Sequence, residues 1–340
     1  MKLKKEFSDF YKAIRIDSET DVLKEKREIL ADDIKSKLPE ILGDNNIDVK
    51  KGDIKMIDQG SYKYHTTIKD DVVDRDVAVM IPLDIVKNDD PRKIKGYLSD
   101  AINIPARTVT IKEPCVRASY YDDGEDWLHI DLPLYAKYGD DMYLARGKST
   151  STNYSWETAD PEELNKYLCG KINGNDQLRR IICFMKKWKN EKYAAASSDH
   201  EVPPSIGLTL LACDCFTKQS TDEGEDDLLA LQKTMKAVLD KFTVTKNGSN
   251  EVISATISCK LPVTPCSDVF KKMKDSSDTY MVTFYKRLLS AVDNLTNAVN
   301  VESEHDAGEY VQKVLGTEFN IPAKAAVAAA VQNRREHSFG

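Results

Sequence analysis

The chain has 340 residues, of which 41% are hydrophobic and 31% charged, a balance that predicts one or two folded domains and excludes a disordered chain. Its 49 basic and 56 acidic side chains give a net charge of -7, so a polyanion would have to be bound by a local basic patch. No apolar run is long enough to cross a membrane, and the charged N-terminus MKLKKEFSDFYK does not resemble a secretory signal. The seven cysteines lack zinc-ligand spacing. We therefore expect a cytoplasmic protein with reduced thiols and no membrane partner.

The first 40 residues show the apolar spacing of helices. Phe7, Phe10, Tyr11 and Ile14 recur every three or four residues and predict a first helix. A second helix with its own apolar stripe is expected to begin at Ser18.

Strand patterns dominate the segment from about residue 50 to residue 140. Four strands are predicted, at 54–57, 73–83, 107–118 and 127–135. The first of them leads into Gln59-Gly60-Ser61, and the turn residues Asp122, Asp123 and Gly124 separate the last two.

After about residue 155 the pattern becomes mainly helical. Helices are predicted at 160–169, 175–193, 267–299 and 306–315. Two further helices are predicted, one that begins at Ser205 and another that ends at about Phe242. A hairpin is expected between 242–246 and 252–258. The fold class is therefore α+β, with a mixed sheet followed by a helical lobe. We divide the chain into a sheet-containing core with the N-terminal helices (1–155), a helical lobe (156–322) and a flexible tail (323–340).

Three aspartates stand at alternating positions of predicted strands. Asp74 and Asp76 are two residues apart and so lie on one face of their strand, as do His129 and Asp131 on theirs. If the two strands are neighbours, three carboxylates converge, and such a cluster repels itself unless cations neutralise it. Mg²⁺ is the natural cation beside phosphates, and two carboxylate-bridged metal ions are typical of phosphoryl and nucleotidyl transfer.

Two further segments offer groups for a phosphate. Gly60 allows a close approach of the backbone and Ser61 adds a hydroxyl, while Lys186 on the long helix supplies a positive charge. Each motif alone is more often structural: a turn, a strand end or a solvated helix face. Together and in this order, the motifs indicate a catalytic site more specifically than any one of them.

These residues resemble a known family. The strings QGSYKYHTTI, DRDVAVMIP and HIDLPLYA are similar to the nucleotidyltransferase core of the bacterial cGAS/DncV-like enzymes, or CD-NTases, in their DncV-like branch. FSDFYKAIRI, WETADPEELNKYL and LRRIICFMKKWK with PPSIGLTLL resemble the flanking helical parts, so the likeness spans roughly residues 5–320. The resemblance implies a polymerase β-like nucleotidyltransferase core with the active site in the cleft between core and helical lobe.

The resemblance also implies roles for individual residues. Asp74, Asp76 and Asp131 would be catalytic Mg²⁺ ligands for two ions, or for Mn²⁺, and Asp131 would help deprotonate the attacking hydroxyl. The groups that would contact ATP or another NTP substrate are Gln59, Gly60, Ser61, Tyr64, Lys186 and Ser205. Ile206 stands where many relatives have a tyrosine that stacks on the base, so stacking would fall to Tyr62 or Tyr64, or would be purely apolar.

The family reaction makes a cyclic di- or trinucleotide second messenger that activates a separate effector in antiphage (CBASS-type) defence. Ubiquitin-transfer-like accessory proteins of such systems join the synthase's C-terminal glycine to a target, which here would be Gly340. The sequence has no zinc-binding insertion, so we expect no activation by duplex DNA. Two other functions stay open: a template-independent transferase that modifies an RNA end or a protein, and a catalytically silent nucleotide-binding module.

Overall fold

The computed structural model describes residues 2–16, 21–69, 73–197 and 200–324. The predicted helix start at Ser18 and the chain from residue 325 to Gly340, which includes most of the predicted tail, lie outside the described residues. Within the described ranges, no helix is both long enough and apolar enough to span a bilayer.

Among its described residues, the first half of the chain has four α-helices, a short 3-10 helix (Lys51–Asp53) and eight strands. The helices are α1 (Lys4–Ile14), α2 (Asp21–Asp44), α3 (Gly60–Lys63) and α4 (Pro91–Ile102). The strands are β1 (Lys55–Gln59), β2 (Val73–Pro82), β3 (Thr108–Ile111), β4 (Val116–Asp122), β5 (Glu125–Leu132), β6 (Leu134–Tyr138), β7 (Asp141–Arg146) and β8 (Ser155–Ala159).

Strand β2 lies at the centre of an eight-stranded mixed sheet formed by the described residues. β1 pairs with it antiparallel, while β5 and β6 both pair with it parallel and in one register, with Val73 opposite Leu128 and Val79 opposite Leu134. β4 and β3 continue the sheet beyond β5, and β7 and β8 continue it beyond β6. The sheet thus joins two branches at β2, and the point of junction carries the predicted site residues.

Two strand predictions need correction because each segment contains a proline. The predicted strand 107–118 is a hairpin of β3 and β4, turning where the N–H of Lys112 donates to the carbonyl of Cys115 around Pro114. The predicted strand 127–135 is interrupted at Pro133, which separates β5 from β6. Proline has no N–H for the strand ladder, so both interruptions have the same physical cause.

The second half is helical, as predicted, with two small hairpins. Its helices are α5 (Pro161–Ile172), α6 (Asp176–Tyr193), α7 (Ser205–Cys215), α8 (Asp227–Leu239), α9 (Lys271–Ser276), α10 (Asp278–Asn300) and α11 (Glu304–Leu315). The hairpins are β9 (Ser220–Thr221) with β10 (Gly224–Glu225), and β11 (Thr243–Lys246) with β12 (Val252–Thr256). The single helix predicted at 267–299 is wrong, because Ser277 is extended and its side chain caps α10, so α9 ends there.

The described residues form two large hydrophobic cores and one small cluster around Met80. One lies between the sheet and helices α2 and α4, and includes Val77, Val79 and Ile130 from the strands that carry the aspartates. The other fills the helical lobe, and Phe7 and Phe10 of α1 pack into it beside Phe184 of α6. Helix α1 therefore ties the N-terminus to the helical lobe, while the division of the chain into domains stays a prediction.

Candidate active site

The three predicted carboxylates are brought together by the pairing of β2 with β5. Asp76 lies directly opposite Asp131, and Asp74 lies opposite His129, two residues earlier on each strand. The alternate residues of β2, among them Val77 and the nearly buried Arg75, face the core instead. Because side chains alternate along a strand, Asp74, Asp76 and Asp131 share one face at adjacent positions.

Asp76 is the most perturbed carboxyl of this cluster. Its burial, together with the negative charges of Asp131 and Asp74, raises its pKa from 3.8 to about 7, although Lys186 and Arg117 act in the opposite direction. A carboxylate in this position is short of positive charge. The cluster therefore has the donor set and the charge deficit that suit a hard divalent cation.

Arg117 on β4 is a site residue that sequence reasoning missed. It lies opposite Asp131, and its Nε and Nη2 donate to the two oxygens of that carboxylate at 2.7 and 2.8 Å. Its Nη1 lies 2.9 Å from Nδ1 of His129, and since a guanidinium can only donate, that nitrogen is an acceptor. The same Nδ1 is 3.2 Å from Oδ1 of Asp74. His129 thus lies between the guanidinium of Arg117 and the carboxylate of Asp74.

Gly60 has a geometric reason to be glycine. It follows β1 directly, adopts a φ of 69°, and lies so close to Asp76 that a Cβ atom would overlap the carboxylate. Gln59, the residue before it, is the backbone partner of Asp76 in the sheet. The Gly60-Ser61 turn is therefore held directly against the carboxylate cluster, as the sequence pattern predicts.

A small pocket of about 100 Å³ lies beside the cluster, at the junction with the helical lobe. Asp74 and Ser61 line it from the sheet side, and Lys186, Lys189 and Ser205 line it from α6 and α7. The Nζ atom of Lys189 is 3.3 Å from the Ser205 hydroxyl. The predicted Ser61, Lys186 and Ser205 thus meet in one place, together with Lys189 from the same helix as Lys186.

Two side chains of this pocket are held in place by the segment after α3. The Nζ atom of Lys186 is nearly buried and donates to the carbonyl of Thr66 at 2.9 Å. The hydroxyl of Thr67 donates to that of Ser61 at 3.1 Å. The pocket therefore has hydroxyl and ammonium groups on opposite walls, a combination that suits phosphate oxygens.

A larger cavity of about 380 Å³ lies on the other side of Asp76. Gln59, Gly60 and Tyr64 line it from the core, and Ile206 and Leu261 line it from the helical lobe. Its size and its mixture of apolar and polar walls are those of a small-molecule site.

The two tyrosines expected near a base are placed differently. Tyr64 lines this cavity, but its side chain is only 3% exposed and its hydroxyl donates to Oδ1 of Asn165 at 2.6 Å. Tyr62 instead lies beneath the guanidinium of Arg75, whose carbon is 4.3 Å from the ring centre. Ile206, which stands in the place of the stacking tyrosine, forms part of the apolar wall of this cavity.

Comparison with known proteins identifies the class of this site. Residues 54–135 match the family described as the nucleotidyltransferase domain of "Cyclic GMP-AMP synthase DncV-like", a range that includes Gln59–Ser61 and all three aspartates. A curated cyclic GMP-AMP synthase from Escherichia albertii is 25% identical over 173 residues, which are 47% of this chain and 36% of that protein. The match thus covers little more than a third of the length of that curated relative.

Solved structures share the fold over nearly the whole chain. Escherichia coli DncV in its 3'-deoxy GTP bound form superposes with a TM-score of 0.64 at 15% identity, covering 90% of this chain and 93% of DncV. Vibrio cholerae DncV, a cyclic AMP-GMP synthase in complex with nonhydrolyzable GTP, gives 0.65 at 15% identity, covering 95% and 100%. The Bradyrhizobium diazoefficiens CD-NTase CdnG in complex with GTP gives 0.67 at 13%, covering 92% and 94%.

Residues 54–135, which include the carboxylate cluster, therefore match a nucleotidyltransferase domain. The match to the DncV-like family is confined to residues 54–135, and over nearly the whole chain the protein is similar in fold to the DncV and CdnG structures.

Proposed function

We propose that this protein joins nucleoside triphosphates, ATP among them, into a cyclic di- or trinucleotide. The observation that carries the proposal is the convergence of Asp74, Asp76 and Asp131 against the Gly60-Ser61 turn, beside a pocket of ammonium and hydroxyl groups. The support from outside the chain is the match of this domain to the DncV-like cyclic GMP-AMP synthase family. A 3'- or 2'-hydroxyl of one nucleotide would attack the α-phosphorus of another, and pyrophosphate would leave.

The carboxylate cluster fits a divalent cation. Asp74, Asp76 and Asp131 would hold two Mg²⁺ ions, or Mn²⁺ in their place. When bound, the ions would neutralise charge on the triphosphate and make the attacking hydroxyl more acidic.

The remaining groups would bind and orient the substrates. Ser61, Lys186, Lys189 and Ser205 would contact the donor triphosphate in the small pocket. Asp131 would accept the proton of the attacking hydroxyl, and the two hydrogen bonds from Arg117 hold its carboxylate in one orientation for that step. The larger cavity beyond Asp76 would take a nucleotide base.

We further propose that the diffusible product acts on a separate effector in antiphage defence. A ubiquitin-transfer-like partner would prime the synthase by conjugating Gly340. Duplex DNA would not activate it. Mass spectrometry of the protein purified with and without such partners tests the conjugation, and added duplex DNA should leave the rate of synthesis unchanged.

The central test incubates the protein with radiolabelled NTPs and Mg²⁺ and then with phosphatase. A cyclic product resists phosphatase because it has no terminal phosphate, so a resistant spot is the expected result. The proposal would be contradicted if no NTP mixture gave a phosphatase-resistant product. It would also be contradicted if the label appeared in tRNA or protein instead of a cyclic product.

Two aspartate substitutions make the test specific. Asp131→Asn should reduce product formation about a hundredfold or more, because it removes a ligand for the cation and the acceptor for the proton. Asp123→Asn is the matched control, since Asp123 is exposed in the turn of the same hairpin with a φ of 48° that asparagine also tolerates. Equal activity of the two variants would show that the cluster is not the catalytic centre.

A further inference from the structure

A buried arginine lies between the two aspartates of β2. Arg75 separates Asp74 from Asp76 along the strand, so its side chain projects from the opposite face of the sheet. Only 2% of the residue is exposed. A guanidinium keeps its charge at every physiological pH, so its burial is costly unless partners surround it. The partners of Arg75 therefore indicate what this charge does in the fold.

Three elements surround the guanidinium. Its Nη2 and Nε donate to Oδ1 of Asp58 on β1, at 3.0 and 3.3 Å, and its Nη1 donates to the carbonyl of Leu23 in α2 at 3.4 Å. The ring of Tyr62 in α3 lies against its face, with 4.3 Å between the guanidinium carbon and the ring centre. Arg27 of α2 also donates to Oδ1 of Asp58, at 3.1 Å. The guanidinium is thus held in one orientation by β1, α2 and α3.

Two of these partners flank the Gly60-Ser61 turn. Asp58 lies on β1 two residues before Gly60, and Tyr62 follows Ser61 directly. The guanidinium of Arg75 therefore contacts the chain on both sides of the turn, while the neighbouring aspartates occupy the other face of β2. Because glycine allows the backbone many conformations, a turn that begins with it needs fixed points on either side to keep one of them.

We propose that Arg75 is a positioning residue for the Gly60-Ser61 turn, which it fixes from the face of the sheet opposite to the carboxylates. Held in this way, Ser61 stays in the wall of the small pocket, together with Lys186 and Lys189. Without the guanidinium the turn would move, and the hydroxyl of Ser61 would no longer meet a phosphate oxygen in a favourable geometry. The inference rests on the proposed function only in assigning a triphosphate to that pocket.

Arg92 provides a matched control for a purely structural role, because it has the same kinds of partners elsewhere in the fold. Its Nε and Nη2 donate to Asp90 at 2.9 and 2.8 Å, and its Nη1 donates to the carbonyl of Ser151 at 2.6 Å. Its guanidinium carbon is 3.7 Å from the ring centre of Tyr154. These four residues line neither of the two pockets beside the carboxylates. Arg92→Lys should therefore affect stability without changing the phosphate pocket.

The test measures binding of the nonhydrolysable analogue α,β-methylene ATP to the full chain by calorimetry, in the presence of Mg²⁺. Arg75→Lys keeps the charge but loses the planar fork. It should weaken binding about tenfold, the usual effect of losing one hydrogen bond to a charged group. Tyr62→Leu removes the ring and leaves the guanidinium, and it should weaken binding in the same direction. Arg92→Lys should bind the analogue as the wild type does.

A double substitution shows whether Arg75 acts through Ser61. Ser61→Ala removes the hydroxyl, so in that background Arg75→Lys should weaken binding by less than about twofold. Effects that multiply would instead indicate that Arg75 supports the fold in general. Thermal unfolding of each variant accompanies the titrations, and Tyr62→Leu takes the place of Arg75→Lys in the same comparison if the latter does not fold.

The outcomes separate this inference from the proposed function. Unchanged binding in Arg75→Lys, equal losses in Arg75→Lys and Arg92→Lys, or effects that multiply with Ser61→Ala would overturn it, even if a cyclic product forms. No binding of the analogue to the wild type would overturn it as well, because Ser61 would then have no phosphate to contact. A loss that is confined to Arg75→Lys and Tyr62→Leu, and that disappears once Ser61 is replaced, supports it even if no phosphatase-resistant product appears.

Discussion

Replacing Asp76 by asparagine should stabilise the metal-free protein, and more so as the pH rises. Asp76 has a folded-state pKa of about 7 against 3.8 for an ordinary aspartate, because it is buried beside Asp131 and Asp74. A raised carboxyl pKa means that the folded state holds the proton more tightly than the unfolded state. The stability that protonated Asp76 gives the folded state is fully present below pH 3.8 and is lost as the pH rises through 7.

The magnitude follows from the two pKa values of Asp76. At pH 5 the cost of its ionisation on folding is about 2 kcal/mol, and by pH 8 it reaches about 4 kcal/mol, because each pH unit between the two pKa values adds roughly 1.4 kcal/mol. Asparagine has nearly the same shape and no charge, so Asp76→Asn avoids this cost. The stability advantage of the variant over wild type should therefore grow by about 2 to 3 kcal/mol between pH 5 and pH 8.

The assay is urea unfolding of both proteins at pH 5 and pH 8 in the presence of a chelator. Asp123→Asn serves as the control, and its effect should be the same at both pH values because Asp123 is exposed. Added Mg²⁺ should stabilise the wild type and not Asp76→Asn, which reverses their order. An advantage that stays constant or shrinks from pH 5 to pH 8 would refute the reasoning that the carboxylate cluster is short of positive charge.

Three other substitutions test the remaining parts of the site. Gly60→Ala should lose most synthase activity and about 1 to 3 kcal/mol of stability, because its Cβ would overlap Asp76 at an unfavourable φ; unchanged activity in the product assay would contradict the packing. Arg117→Met should destabilise the metal-free protein by about 1 to 3 kcal/mol in urea unfolding and much less with Mg²⁺, since Asp131 loses its cation; equal losses in both conditions would count against this. Lys186→Met should weaken calorimetric binding of ATP about tenfold and hardly affect AMP; equal effects would place Lys186 away from the triphosphate.

The aspartate face shows what local sequence can predict. Alternation along VDRDVAVMIPL and WLHIDLPLY assigns the aspartates to one face and the valines and isoleucines to the core, and the structure has both assignments. The assignment is possible because the side-chain period of a strand is two, whatever its neighbours are. Helix α4, by contrast, was missed although Asp90 and Pro91 form a regular helix start in the sequence.

Arg117 could not be placed from the sequence because its position depends on a strand irregularity. Near the hairpin turn Asp122 pairs with Glu125, but the register shifts between Tyr120 and Tyr121. Without that shift, Arg117 would not lie opposite Asp131. A change of register by one residue turns every following side chain to the other face, and sequence alternation does not reveal it.

The sequence by itself determined which groups the candidate site contains: three aspartates at strand spacing, a Gly-Ser turn and a lysine-rich helix, in an order that resembles one family. Local periodicity suffices for this because it depends only on the geometry of a single strand or helix. Tertiary structure decided which strands are neighbours, which lysines of α6 reach the site, and that Gly60 lies against Asp76. Those features depend on contacts between residues far apart in the chain, and no local pattern encodes their distances.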